Sequence, residues 1–200
     1  MSYKTFFWIV LFALQTSISS VFCGPFGLDM GMSLNQIKQK TEKTPELIKD
    51  DIYRVDPPNK NNLFASYLVK VDTRHGLYYI NAITSDINTT GYGFEVKNTF
   101  DSLVASIEKS YGKYKKYDFL QSKSIWNEPN DFMMGLVKNE RHLAAFWEQE
   151  EGSALPNNIS SIAVIAHGLS SSKGYIVLQY SSPNEETINA EKKAKQDSVF

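Results

Sequence analysis

The chain has 200 residues, of which 21 are Lys or Arg and 22 are Asp or Glu, giving a formal net charge of −1 at pH 7. Binding a polyanion needs an excess of basic residues on one surface, so this balance excludes nucleic acid as an expected partner. The sequence contains a single cysteine, which excludes an internal disulfide and leaves stability to a hydrophobic core.

Residues 1–23 have the three parts of a signal peptide. Lys4 supplies the positive charge, an apolar core runs from Phe6 to Leu14, and small and polar residues follow. This core is shorter than the roughly 20 residues that cross a bilayer as a helix. Ser17 and Ser19 fit a peptidase site, but we place the boundary after residue 23, which leaves residues 24–200 as one exported protein. An uncleaved anchor helix is the alternative.

Cys23 follows the signal core and is a candidate for the lipid-carrying cysteine of a bacterial lipoprotein. The residue before it is Phe22, where Gly, Ala or Ser is typical, so lipidation is the less favoured alternative. We therefore expect a periplasmic or secreted protein that meets a membrane only if Cys23 is lipidated.

A first helix is predicted to begin at Ser33, because Ser33 and Gln36 have the spacing of a capping box. A short extra helical turn is expected next, with Thr44 as its cap and Pro45 in the first helical position. Three strands then follow, separated by DPPNKNN and TRHG turns. They are expected at 52–55, 63–71 and 77–84.

A second helix is predicted from Asn98 or Thr99 to a stop at Gly112. Its apolar face has helical spacing and comprises Phe100, Leu103, Val104, Ile107 and Tyr111. Lys113, Lys115 and Lys116 are expected to form a solvated turn.

The remaining β-type sequence is predicted as two hairpins. The first joins 132–138 to 142–148 through an Asn139-Glu140 turn, although 132–148 could instead be one helix. The second joins 159–167 to 174–180 across GLSSSK.

The two helix regions also resemble each other. Residues 27–43 and 93–109 align without a gap, with identical Gly, Glu and Lys at three places and conservative pairs at seven others. We therefore predict an α+β protein with two tandem units, each a helix followed by antiparallel strands, at 24–90 and 91–182. The units could share one continuous sheet with the helices on one face. Residues 183–200 are expected to form a polar tail or a terminal surface helix.

The Gly31-Met32-Ser33 helix start followed by Ile37 resembles two types of exported bacterial protein. These are the β-lactamase-inhibitor-protein type, with tandem helix-then-sheet units, and the small lipoprotein of the outer-membrane assembly machinery. The typical Gly-x-Pro ending of the first helical pair is absent, since Pro45 follows Lys43-Thr44. The resemblance implies a concave sheet face that binds another protein and catalyses nothing.

Residues for catalysis or metal binding are sparse. None of His75, His142 and His167 has a second histidine or a cysteine at ligand spacing, so we expect neither a metal nor a small-molecule cofactor. His167 beside Ser170–Ser172 is the one arrangement that could indicate a small secreted hydrolase. Glu148, with Glu150 and Glu151, is more simply a solvated strand end than a glycosidase pair.

Aromatic residues supply the leading functional hypothesis. Many fall on predicted strands, where neighbours in sequence point to opposite faces, so some must lie on the face that the helices leave uncovered. Exposed aromatic residues on a rigid sheet are typical of protein recognition surfaces. We therefore predict an exported, non-catalytic protein that binds another protein as an inhibitor, an immunity-type partner or an envelope assembly factor. The candidate contact residues are Tyr67, Tyr78, Trp126, Phe146, Trp147 and Tyr175.

Overall fold

The computed structural model describes residues 24–148 and 155–198. The predicted signal peptide, Cys23, Glu150 and Glu151 lie outside these residues. The described helices are α1 (Leu34–Lys40), α2 (Phe94–Tyr111), α3 (Phe132–Val137) and α4 (Glu185–Asp197), with 3-10 turns at Pro25–Gly27 and Pro129–Asp131. The described strands are β1 (Glu46–Lys49), β2 (Ile52–Val55), β3 (Phe64–Asp72), β4 (Gly76–Thr84), β5 (Ile87–Asn88), β6 (Lys115–Leu120), β7 (Arg141–Glu148), β8 (Ser161–Ser170) and β9 (Lys173–Ser181).

The strands form one antiparallel sheet in the order β1-β2-β3-β4-β9-β8-β7-β6, and β5 adds a short pairing to β9. Each half of the sheet therefore runs from an outer edge to the centre in chain order. The halves meet where β4 pairs with β9, with Ile80 opposite Tyr180 and Ala82 opposite Leu178. This confirms the predicted α+β class and the continuous sheet.

Helices α2 and α3 cover one face of this sheet, called here the helix face. The predicted apolar stripe of α2, including Phe100 and Val104, is buried. A Cβ atom built on Gly174 of β9 would lie 3.1 Å from Val96 Cγ2 of α2 and 2.9 Å from Met133 Cε of α3. The missing side chain at this glycine therefore gives both helices room to approach the sheet.

Helix α1 begins as predicted, with a capping box at Ser33. The Ser33 N–H donates to Gln36 Oε1 at 2.8 Å, and the Gln36 N–H donates to Ser33 Oγ at 3.4 Å. The segment before it is tied to β4, because the Gly31 N–H donates to the Leu77 carbonyl and the Leu77 N–H donates to the Met32 carbonyl, both at 2.7 Å. Gly76 has φ +69°, and a Cβ there would lie 2.2 Å from the Gly31 carbonyl oxygen, so this contact requires glycine.

The predicted turn at Thr44 and Pro45 is wrong, because strand β1 begins at Glu46 and pairs with β2. The predicted start of the second helix is also wrong. Helix α2 begins at Phe94 after Gly93, and Thr99 lies within it, donating its hydroxyl to the Glu95 carbonyl at 2.8 Å. This bond to the preceding turn shows that a threonine can satisfy its hydroxyl inside a helix as well as at a cap.

Of the predicted hairpin at 132–148, the chain reversal at Asn139 and the second strand are confirmed and the first strand is wrong; the alternative of one helix is wrong as well. The first part is helix α3, whose buried Phe132, Met133 and Leu136 have helical spacing, and the second part is strand β7. Asn139 reverses the chain between them with φ +55°. The predicted solvated turn at Lys115 and Lys116 is wrong as well. These residues belong to strand β6, which the sequence concealed because its side chains are almost all exposed.

The second hairpin and the three strands of the first unit lie close to their predicted positions. The C-terminal segment is not an extended tail but helix α4, with Ile188 buried, which agrees with the terminal-helix alternative. No helix in the described part of the chain is long and apolar enough to cross a membrane.

Helix α4 is attached to the sheet through a polar cluster of three side chains. The Lys192 ammonium donates to the Tyr78 hydroxyl at 2.8 Å and forms an ion pair with Asp51, and the Tyr78 hydroxyl donates to Asp51 Oδ2 at 2.7 Å. Burial raises the pKa of Asp51, but the hydrogen bonds from Lys192 and Tyr78 outweigh it, so the net pKa is lowered. Burial and the neighbouring carboxylate raise the pKa of Tyr78 to about 12.

We predict that Lys192→Met loosens α4, because it removes the ammonium while keeping the aliphatic stem. The loss should be about 1 kcal/mol of unfolding free energy, with faster amide hydrogen exchange confined mainly to α4. Lys195→Met, in the exposed last turn of the same helix, is the matched control. Equal exchange in the two variants would contradict the role of the cluster.

Candidate functional site

The second face of the sheet, called here the open face, carries the side chains that alternate with those of the helix face. Paired residues of neighbouring strands point to the same side, so the register arranges them in rows across the sheet. One row pairs Phe119 with His142 and, further along, His167 with Tyr175. The next row comprises Tyr117, Ala144, Ile165, Val177, Ile83 and Ser66.

The β6–β9 end of the open face is aromatic and apolar. We call the following residues the aromatic patch: Tyr117, Phe119, His142, Phe146, Ile165, His167 and Tyr175. The side chains stack in pairs across neighbouring strands. Ring centroids are 4.8 Å apart for Phe119 and His142 and 4.9 Å apart for His167 and Tyr175.

Part of the aromatic patch lines a shallow depression of about 480 Å³ over β6 and β7. The rings of Tyr117 and Phe146 meet edge-to-face there, with centroids 5.6 Å apart. Tyr117 is 36% exposed and Phe119 is 47% exposed. Lys115 and Glu148 also line it, and the register places both at the end away from Phe119 and His142. The depression therefore presents apolar rings with one cationic and one anionic side chain at the same end.

The β1–β4 end of the open face is more polar. Arg54 pairs with Glu46 at 2.9 Å, and the Lys70 ammonium lies 4.4 Å from the centroid of the Tyr79 ring. Asn81 stands opposite Gln179 where the two halves of the sheet meet. The apolar character of the open face is thus concentrated at one end, which makes the aromatic patch the candidate site.

Burial lowers the pKa of His167. Its ring is stacked on Tyr175, and a stacked, half-buried imidazole is best accommodated in its neutral form. At neutral pH the centre of the aromatic patch therefore carries no formal charge.

The six candidate contact residues lie in three different parts of the structure: the aromatic patch, the core and a loop. Phe146 and Tyr175 lie in the aromatic patch. Tyr67, Tyr78 and Trp147 are instead in the core, with exposures of 5%, 0% and 0%. Trp126 is half-buried in the loop after β6, where its backbone N–H donates to Ser124 Oγ at 3.1 Å. The patch proposed below therefore contains two of the six.

Aromatic residues that are neighbours along a strand point to opposite faces of the sheet, as predicted. Phe146 points to the open face, whereas Trp147 points to the helix face and donates its indole N–H to the Gly112 carbonyl at 2.9 Å. The sequence interpretation missed Tyr117 and Phe119, because strand β6 was not recognised. Their spacing of two residues was the available signal.

His167 and the Ser170–Ser172 loop make separate contacts in the described part of the chain. Ser170 and Ser172 face each other, with their Oγ atoms 3.5 Å apart, and the Ser172 N–H donates to Ser170 Oγ at 3.2 Å. The His167 ring stacks on Tyr175 and makes no hydrogen bond to either serine or to any carboxylate of residues 24–148 and 155–198. The described part of the chain also holds no cluster of three or more His, Cys, Asp or Glu side chains suited to a metal.

Comparison with known proteins identifies no relative: no family model, no curated protein and no solved structure matches the chain.

We predict that Trp147 and Trp126 differ sharply in their effect on stability. Trp147→Phe should cost about 1–3 kcal/mol of unfolding free energy, because it removes the hydrogen bond from the indole N–H to the Gly112 carbonyl and leaves part of a fully buried site empty. Trp147→Ala should cost about 3–5 kcal/mol. Trp126→Ala should cost under about 1 kcal/mol. Denaturant unfolding measures all three, and comparable losses at the two positions would contradict the assignment.

We predict a pH-dependent contribution of His167 to stability. Because its pKa is lowered in the folded protein, the unfolded chain takes up the proton first as the pH falls through about 6.5. Stability should therefore fall from about pH 7.5 to about pH 5.5, and His167→Gln should remove that part of the slope. Parallel urea titrations of the two proteins give the difference, and identical slopes would refute the prediction.

Proposed function

We propose that this protein binds another protein through the aromatic patch on its open face and does not catalyse a reaction. The observation that carries this proposal is the exposure of Tyr117 and Phe119 beside Phe146 on a sheet face opposite α2 and α3. Large apolar rings that a fold leaves in water are stabilised when a partner covers them.

The geometry of the patch favours a protein partner. Aromatic side chains are enriched at the energetic centres of protein interfaces, where they supply a large contact area at a small cost in conformational entropy. These rings project from four neighbouring strands and pack against each other, as Tyr117 packs against Phe146. A surface held in this way loses little freedom on binding.

The charges around the patch fit the same proposal. Lys115 and Glu148 at one end of the depression present one charge of each sign to a partner, and such charges favour one orientation of the bound protein. The formal net charge of the chain is only −1. Attachment to a highly charged polymer therefore has no electrostatic support.

We propose further that the protein acts outside the cytoplasm, as an inhibitor, an immunity-type partner or an envelope assembly factor. The signal-like residues 1–23 support export. The resemblance of Gly31-Met32-Ser33 to exported β-lactamase-inhibitor-type proteins favours the same class of function.

The proposal predicts site-specific crosslinking to one partner. A photoreactive phenylalanine analogue at Phe119 should capture a protein in the native compartment. The same analogue at Phe94 is the matched control, because Phe94 is 57% exposed but lies on α2. The captured protein should then bind the purified chain, and Phe119→Ala should weaken that binding at least about tenfold. Phe94→Ala should not change it.

Equal crosslinking from the two positions, or equal affinity of the two alanine variants, would contradict a partner site at the aromatic patch. Circular dichroism and denaturant unfolding of each variant show that the fold is retained. Both positions are exposed aromatic residues, so a loss of affinity confined to Phe119→Ala identifies the surface rather than the chemical change.

A further inference from the structure

Strand β6 forms one outer edge of the sheet. In the described part of the chain it pairs with β7 alone, so the backbone groups on its other side have no strand partner. It runs regularly over six residues, and five of its six side chains are exposed. The other edge strand, β1, has four residues and a register shift between Leu47 and Lys49. Because irregularities disrupt further pairing, β6 is the edge better suited to accept another strand.

We propose that β6 pairs with β6 of a second copy of this chain, antiparallel and related by a two-fold axis through Tyr117. The pairing would join two sheets into one and bring two aromatic patches together. Strand addition at an exposed edge is an established mode of association, and the two-fold relation gives a closed dimer.

Alternation of side chains limits the possible registers. Residues opposite each other in an antiparallel pair must point to the same face, so the two-fold axis must pass at the level of a residue. An axis near the middle of β6 passes through either Tyr117 or Asp118. The second choice places two Asp118 carboxylates directly opposite each other, which is unfavourable.

The axis through Tyr117 instead makes every cross-strand pair complementary. On the helix face, Lys116 lies opposite Asp118 of the second copy. On the open face, Tyr117 lies opposite its own counterpart, and Lys115 lies opposite Phe119 of the second copy, an arrangement that suits a cation–π contact. The charges of the strand thus select this register.

Ion pairs within each chain extend the charge complementarity of the proposed contact away from strand β6. Lys116 pairs with Asp101 of α2 at 2.8 Å, and Asp118 pairs with Arg141 of β7. Across the proposed contact, these residues form a row of alternating charge: Asp101 and Lys116 of one copy, then Asp118 and Arg141 of the other. The two-fold axis repeats the row, giving two networks, which stabilise more than isolated surface pairs do.

Disulfide crosslinking tests the contact and its register. In the full chain carrying Cys23→Ser, Tyr117→Cys should give a crosslinked dimer under mild oxidation, because the two Cβ atoms lie about 4.5–5.5 Å apart across the axis. Asp118→Cys should not, because its counterpart is displaced by two residues and exceeds the Cα separation of about 7 Å that a disulfide spans. Leu47→Cys, exposed on β1, is the control for random collision.

Charge reversal gives an independent measurement on a chain without new cysteines. Lys116→Glu would place like charges opposite the Asp118 carboxylates twice per dimer. It should raise the dimer dissociation constant at least about tenfold in sedimentation or light scattering. Lys109→Glu makes the same change of charge in the last turn of α2 and should leave the constant unchanged.

A chain that stays monomeric at every concentration would overturn the proposal. Crosslinking through Asp118→Cys in preference to Tyr117→Cys, or through Leu47→Cys as readily, would also overturn it. A monomer whose β6 amides become protected only when another protein is added would replace it with strand addition by that protein. The edge contact shares Tyr117 and Phe119 with the open-face site, so Lys116→Glu, which changes only the helix face of β6, distinguishes the two: it should weaken the dimer and leave binding of the partner captured at Phe119 unchanged.

Discussion

The pairing of β4 with β9 is the contact on which the rest of the structure depends. Each half of the sheet is a meander that ends on its central strand, and the two central strands are joined by backbone hydrogen bonds from Tyr79–Ser181 to Ile83–Val177. This join buries Ile80, Ala82, Leu178 and Tyr180 in one core. An isolated four-stranded half would expose its inner strand as an open edge. The antiparallel join removes both inner edges, and β1 and β6 are the two outer strands of the described strand order.

The same join determines what the two faces of the sheet can do. In a continuous sheet, successive side chains point to opposite faces, so one face packs in the core and the other face stays outside it. Helices α2 and α3 occupy the first side, and glycines such as Gly174 let them approach closely. The second side keeps Phe146 and Tyr175 outside the core while Trp147, one residue away, is fully buried. The separation of buried from uncovered aromatic side chains is therefore a direct result of the two-residue period.

The sequence was sufficient where burial imposes a period. Helix α2, strands β2 to β4 and the β8–β9 hairpin all bury one face, so their apolar residues recur at helical or strand spacing. It was insufficient for β6, because an edge strand with both faces in water carries Lys116 and Asp118 as readily as a turn does. It also failed at 132–138, which form helix α3 and not a strand, because a short apolar run does not distinguish a buried helix from a buried strand. Of the site, alternation predicted that aromatic residues would remain outside the core, but not which ones, because the number of covered faces depends on tertiary packing.

Strand β6 carries both exposed aromatic side chains and an outer edge without a strand partner in the described part of the chain. Its position at the edge of the sheet explains both. An edge strand has one neighbour instead of two, so each of its side chains can be shielded from only one side. Tyr117 and Phe119 each obtain one ring contact, from Phe146 and His142 of β7, and stay more than a third exposed. Leaving apolar area in water costs about 25 cal/mol per Å². In addition, no strand within residues 24–148 and 155–198 pairs with the outer edge of β6. A partner on the open face would cover the rings, whereas a second copy at the edge would cover the backbone and the charges. The two contacts meet at Tyr117, which makes that residue the most informative single position in the chain.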